Sequence, residues 1–137
     1  MFTEEKYRQY IRAFNARDYA GLETFFTDDF ALENAGFIVQ GKPAFREFYR
    51  FFHGYFRETV TLKKFFPGAD AFVANVVIRF EGIQDLSSTI LAEKGYSGMT
   101  PIPKDAIVDV EFLIMYELNA QGLIRYIKGA VFMPAAT

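Results

Sequence analysis

Few side chains in this chain can do chemistry, and most of them are phenols. Tyr10 belongs to a stripe of Tyr7, Tyr10, Ile11 and Phe14, spaced as on one face of a helix. Tyr49 belongs to a second stripe with Phe45, Phe48, Phe52 and Phe56. Both spacings turn the tyrosines inward, where a phenol hydroxyl in apolar surroundings donates strongly to developing negative charge. Such a donor is typically worth about 10²–10³ in rate. Two core tyrosines satisfied by each other or by backbone would show the same spacing.

The other polar candidates are thinner. Tyr116 has inward parity on its strand and offers a third hydroxyl, or merely a core aromatic. His53, the one imidazole, is the place to look for a group that titrates near neutrality, though a histidine at a helix end is commonly solvated. Arg125 shares parity with Ile127, Gly129 and Val131; it can pair with a carboxylate or enolate, or reach water. Asn34 can hydrogen-bond a carbonyl or hydroxyl, or serve only the turn that follows it. Asp85 and Glu93 lie on a long loop and could supply a base on closure.

These residues need elements to position them. Glu4 and Glu5 suit the first turn of a helix carrying the first stripe. Asp18 can cap a short second helix with Leu22, Phe25 and Phe26 buried, after which a strand starts near Phe30. Asn34-Ala35-Gly36 reads as the turn into a strand Phe37 to Gln40, and Pro43 opens a third helix. Strands follow at about Thr59–Phe66, Ala71–Glu81, Asp105–Leu118 and Leu123–Met133, with turns at Pro67-Gly68 and Asn119 to Gly122.

Two of these strands alternate cleanly, with Phe72, Ala74, Val76, Ile78 and Phe80 on one face and Phe112, Ile114 and Tyr116 on the same side of the next. That period describes an antiparallel sheet covered on one side. Phe14, Phe52, Phe80 and Phe112 are then expected to line an enclosed pocket. The opposite face carries Val73, Val77, Leu113, Met115, Ile124 and Phe132 among charges, and reads as a dimer contact or as scattered surface apolars. Residues 82–104, with Gly95, Gly98, Pro101 and Pro103, form a long connection with a helical turn near Ser87 to Glu93, read as a lid or a mobile insertion.

Composition narrows the classes. One domain is expected over 1–137, and 17 Phe without Trp must fill a dense core or line a cavity. A net charge of −2 argues against nucleic acid as the main partner, and the absence of Cys excludes thiolate chemistry. One His makes a transition-metal site improbable, and no glycine-rich loop links a strand to a helix. No apolar run approaches a membrane span and the first residues do not read as a signal peptide, so no membrane partner and a cytoplasmic location are expected.

The segments Gln9-Tyr10-Ile11-Arg12-Ala13-Phe14-Asn15-Ala16-Arg17-Asp18 and Phe25-Phe26-Thr27-Asp28-Asp29-Phe30-Ala31-Leu32-Glu33-Asn34, then Gly41 and Phe45-Arg46-Glu47-Phe48-Tyr49, resemble the start of ketosteroid isomerases and their SnoaL-like polyketide-cyclase relatives. The resemblance covers about Glu5 to Met133, with residues 82–104 as an insertion relative to the steroid enzymes. It implies an α+β, NTF2-like cone: a strongly curved, mostly antiparallel sheet wrapped around three N-terminal helices. It sets Tyr10 on the family's oxyanion donor and Tyr49 on the tyrosine supporting that donor. The family's general-base aspartate falls on Asn34, and its second donor, a protonated carboxylic acid that serves as a general example of a raised pKa, falls on Ile114.

Steroid-type proton transfer by the familiar residues is therefore not expected. What remains implied is a cofactor-free isomerase, cyclase or dehydratase. It would act on an apolar, polycyclic or polyketide-like carbonyl compound through an enolate held by Tyr10 and Tyr49, with His53 or a lid carboxylate as base. The alternatives are a non-catalytic small-ligand binder and a dimeric protein-interaction module of the same fold, and a homodimer through the outer sheet face is implied in either case.

Overall fold

The computed structural model describes residues 1–136. Its elements are α1 (Glu4–Asn15), α2 (Tyr19–Glu23), β1 (Phe26–Asn34), β2 (Phe37–Gln40), α3 (Lys42–Phe52), β3 (Phe56–Phe66), β4 (Ala71–Gly82), α4 (Ser88–Glu93), β5 (Ile107–Leu118) and β6 (Ile124–Val131). Thr3 caps α1 by accepting from the Lys6 N–H at 3.1 Å, and Glu4 and Glu5 fill the first turn. Asp18 caps α2 through the Gly21 N–H, and Ser87 caps α4 through the Ile90 N–H.

The strands form one sheet in the order β2-β1-β6-β5-β4-β3, with only the β1·β6 pair parallel. The expected α+β cone is the architecture found. Tyr7, Tyr10, Ile11 and Phe14 of α1 are buried with Phe45, Phe48 and Phe52 of α3 against Phe72, Ala74, Val76 and Ile78 of β4. Asn15 pins the end of α1 to the edge strand β3: its side chain accepts from the Val60 N–H at 2.8 Å and donates to the Val60 carbonyl at 3.0 Å. Asn34 to Phe37 make a two-residue hairpin in which Ala35 and Gly36 both take positive φ, the twist that suits adjoining strands.

Three departures from the sequence reading have local causes. The second helix stops at Glu23 and β1 starts at Phe26, because the Phe25 carbonyl accepts from the Ile124 N–H and draws the chain into the sheet. Phe56 opens β3 and does not extend the α3 stripe. In β6, Ile124 pairs with Leu118 and Tyr126 with Glu117, which leaves Arg125 as an extra residue in a bulge. The bulge breaks the parity on which Arg125 was expected inward and Ile124 outward. Ile124 is wholly buried and Arg125 is exposed.

Residues 82–104 are a packed structure. Leu86 and Ile102 exchange backbone hydrogen bonds of 2.9 and 3.0 Å, and Leu86, Leu91 and Ile102 are buried. Tyr96 packs its ring on Phe37, Phe48 and Phe52, with centroids 4.9–5.4 Å apart. No helix among the described residues is long and apolar enough to cross a membrane.

Candidate active site

Between α1, α3 and the inner sheet face lies a cavity of about 140 Å³. Its wall is mostly aromatic and aliphatic, and includes Phe14, Phe52, Phe80 and Phe112, as well as Ile114 and Gly129. Asn34 and Phe37 of the first hairpin and Met99 of the long connection are partly exposed and form its rim. In a wall of this kind each polar group counts.

The phenols come from three elements. Tyr7 and Tyr10 project from α1, Tyr49 from α3, and Tyr116 from β5, and all four line the cavity. Tyr7 and Tyr116 join their hydroxyls at 2.7 Å. The Tyr10 hydroxyl also turns toward that of Tyr116, as a looser hydrogen-bonding neighbour than Tyr7, whereas among the described residues the Tyr49 hydroxyl has no such partner. The support of Tyr10 by Tyr49 that the resemblance implies is thus not a direct bond. Tyr49 instead packs among Phe14, Phe45, Phe48 and the His53 ring.

Burial pushes the Tyr7, Tyr10, Tyr49 and Tyr116 phenols above their ordinary pKa. Coulombic repulsion from Glu58 adds to the rise at Tyr10 and Tyr49. The hydroxyls therefore stay protonated throughout the usual working range, as donors need to be.

Glu58 is the one carboxylate among the residues that line the cavity, and only 9 % of it is accessible. Its Oε1 lies 3.2 Å from Nε2 of His53, which is itself 5 % accessible. On the other side of the imidazole, Nδ1 lies 2.6 Å from the Tyr19 hydroxyl. His53 thus stands behind the wall, not in it, and it is buried where solvation was the common expectation.

Asn34 lines the rim as expected. Arg125 does not reach the cavity: its guanidinium donates to Glu117 at 2.8 Å on the exposed face. Asp85 accepts from the Lys104 N–H at 2.7 Å and is exposed, as is Glu93, so neither loop carboxylate is at the site.

Sequence reading missed Glu58 because the strand was expected to begin at Thr59. The signal was present in Phe56, Glu58, Val60 and Leu62, an alternation that places one acid among inward apolar residues. It also missed Tyr96 and Met99, since nothing in a loop's sequence says which side chains turn inward.

The model for the SnoaL-like domain matches residues 7–127. The chain belongs to the SnoaL-like domain family. Solved SnoaL-like and NTF2-like structures agree on the fold. A candidate polyketide cyclase from Silicibacter sp. TM1040 superimposes with a TM-score of 0.75 at 20% identity, over 93% of this chain and 86% of that one. The ketosteroid isomerase of Mycobacterium sp. gives 0.66 at 20%, over 90% and 88%. A Mycobacterium tuberculosis protein in complex with estradiol-17β-hemisuccinate gives 0.65 at 21%, over 90% and 88%. No curated protein sequence matches the chain.

Proposed function

We propose that this SnoaL-like chain is a cofactor-free enzyme that isomerises, cyclises or dehydrates an apolar carbonyl compound of polycyclic or polyketide-like type. The observation that carries the reading is a pair of phenols in the wall of an apolar cavity, Tyr49 without a hydrogen-bond partner among the described residues and Tyr10 with only Tyr116 beside its hydroxyl. A neutral phenol left with bonding capacity in an apolar wall gains hydrogen-bonding when a ligand oxygen arrives. An oxygen that gains negative charge during reaction gains most, which is the requirement for stabilising an enolate. Tyr116, already joined to Tyr7, can turn a lone pair or its proton toward the same ligand.

The volume bears on the substrate. An engineered apolar cavity of about 150 Å³ takes up benzene. The enclosed space here therefore suits the reacting ring of a substrate, with further rings passing Met99 and Asn34 at the rim. Similar structures bind ligands of that type, among them the estradiol hemisuccinate complex. Residues 82–104, seated over Phe37 and Phe48 through Tyr96, act as the lid, and the compartment is cytoplasmic. The second reading, a non-catalytic ligand carrier, draws on Asn34 and Ile114, which stand where the related isomerases have acids. The partly apolar outer face, with Leu113 and Phe132 exposed, is the homodimer contact.

The test is titration of a polycyclic phenol into the protein and its Tyr10→Phe variant, following phenolate absorbance, which the absence of Trp leaves clear. Wild-type protein should bind the phenolate form, and the variant about ten- to a hundredfold more weakly, as befits one hydrogen bond to a charged oxygen. Binding indifferent to Tyr10 removes the oxyanion assignment and favours the carrier.

A further inference from the structure

We propose that Glu58 is the proton acceptor of this site, and that His53 and Tyr19 are positioning residues that hold its carboxylate aimed into the cavity. The proposal rests on the enolate reading above, and assigns to β3 the role that the resemblance placed at Asn34. The three groups form a line from the cavity outward. Glu58 lines the cavity, its Oε1 meets His53 Nε2 at 3.2 Å, and His53 Nδ1 meets the partly exposed Tyr19 hydroxyl at 2.6 Å. Among the described residues the second oxygen of Glu58 has no hydrogen-bond partner, which leaves it to a ligand.

The chemistry of the donors fixes the arrangement. A phenol hydroxyl is the natural donor to an imidazole nitrogen, so Tyr19 donates to Nδ1. The remaining ring proton then sits on Nε2 and is given to Glu58. An ionised carboxylate in an apolar wall is costly unless such a donor meets it. His53 in turn is fixed by its own surroundings: its ring packs on Phe14, Tyr49 and Phe56, and the His53 carbonyl accepts from Arg17 at 3.3 Å.

The step balances simply. A C–H bond next to the substrate carbonyl breaks, and its proton passes to the free oxygen of Glu58. The electron pair becomes the enolate double bond, and the charge settles on the oxygen that Tyr10 holds. Return of the proton to a different carbon gives isomerisation. Departure of hydroxide with that proton, as water, gives dehydration.

The experiment uses β-tetralone, a two-ring ketone with acidic α-hydrogens, in D2O, with deuterium uptake followed by mass spectrometry. Wild-type protein should accelerate uptake, and Glu58→Gln should lose about 10²–10⁴ of that acceleration, the usual worth of a general base. Polycyclic-phenol binding should survive in the same variant. His53→Phe should lower uptake about tenfold and His53→Gln less, because the amide can still donate.

Because the chain has one histidine, its imidazole nitrogens can be read individually by ¹⁵N NMR. The Nε2–H tautomer is expected in wild type and a mixture in Tyr19→Phe, with deuterium uptake lowered in step and phenol binding unchanged, which a merely structural role would not produce. No uptake by wild type, or uptake indifferent to Glu58, overturns the assignment while Tyr10-dependent phenol binding leaves the oxyanion reading intact. A wild-type Nδ1–H tautomer overturns the positioning role. Should Glu58→Gln not fold, Glu58→Asp keeps the charge but withdraws it by a methylene, and unchanged uptake there likewise overturns the proposal.

Discussion

On the outer face of the sheet, polar side chains are committed to one another. Arg79 of β4 donates twice to Asp109, its partner across β5, at 2.9 and 3.0 Å. Lys63 and Asn75 both donate to Glu111 at 3.0 Å, and Arg125 donates to Glu117. On the concave side, where α1 and α3 face the same sheet, polar groups are few and several have bonding capacity to spare: Tyr10 of α1, Tyr49 of α3 and one oxygen of Glu58 of β3. The outer pairs stabilise the sheet only slightly, since exposed ion pairs are worth little. The inner groups give up hydration without full repayment from the protein. The chemistry proposed for the concave side draws on that asymmetry, which can be probed one face at a time.

The largest expected contrast is in stability. Phe72 on β4 stacks on Phe2 and on Tyr116, both with centroids 4.5 Å apart, and is 2 % accessible. Truncation of such a residue loses its burial and leaves a cavity, so Phe72→Ala should cost about 3–5 kcal/mol. Leu113, outward on β5, is 45% accessible, and Leu113→Ala should stay within about 0.5 kcal/mol in the monomer. Urea midpoints at fixed protein concentration measure both. A Leu113→Ala cost that is larger in concentrated protein and shrinks on dilution would show that the outer face is covered by a second copy.

A smaller effect tests the rim. Gly98 lies so close to the turn of the first hairpin that an added Cβ would overlap the Ala35 carbonyl. Backbone, not a flexible side chain, is what it would meet, so Gly98→Ala must lift the connection away from Asn34 and Phe37. Overpacking of this kind typically costs about 1–3 kcal/mol. The same displacement moves Met99, so phenol binding should weaken or lose its size limit. Unchanged stability and binding would mean that residues 82–104 do not close the cavity.

The comparison also explains what the sequence could disclose. Helical and strand periods revealed nearly all the inner apolar face, because burial repeats every 3.6 or 2 residues and Phe marks it plainly. Tyr10, Tyr49, Tyr116 and the four expected phenylalanines all reach the cavity for that reason. Arg125 failed because one bulged residue reverses parity, and a bulge leaves little trace in a pattern of types. Glu58 was missed at a strand start, where boundaries are least legible. His53 was placed on the right helix, but its partners come from β3 and α2, five residues onward and 34 back. Only the tertiary fold brings them together.

The smallest expected effect belongs to the outer pair of Arg79 and Asp109. The Arg79 guanidinium, bonding both oxygens, holds the Asp109 carboxyl below its ordinary pKa. A carboxylate with a depressed folded pKa binds protons more readily in the unfolded chain. Its contribution is therefore complete above the unfolded value of about 3.9 and fades as the pH falls through the folded value. Asp109→Asn should leave neutral-pH stability almost unchanged and flatten the acid limb of a denaturation midpoint plotted against pH. The difference should shrink in high salt, because both groups are open to solvent. A large loss at neutral pH, or one insensitive to salt, would mean that something covers this part of the outer face, and the contrast between the two faces would have to be redrawn.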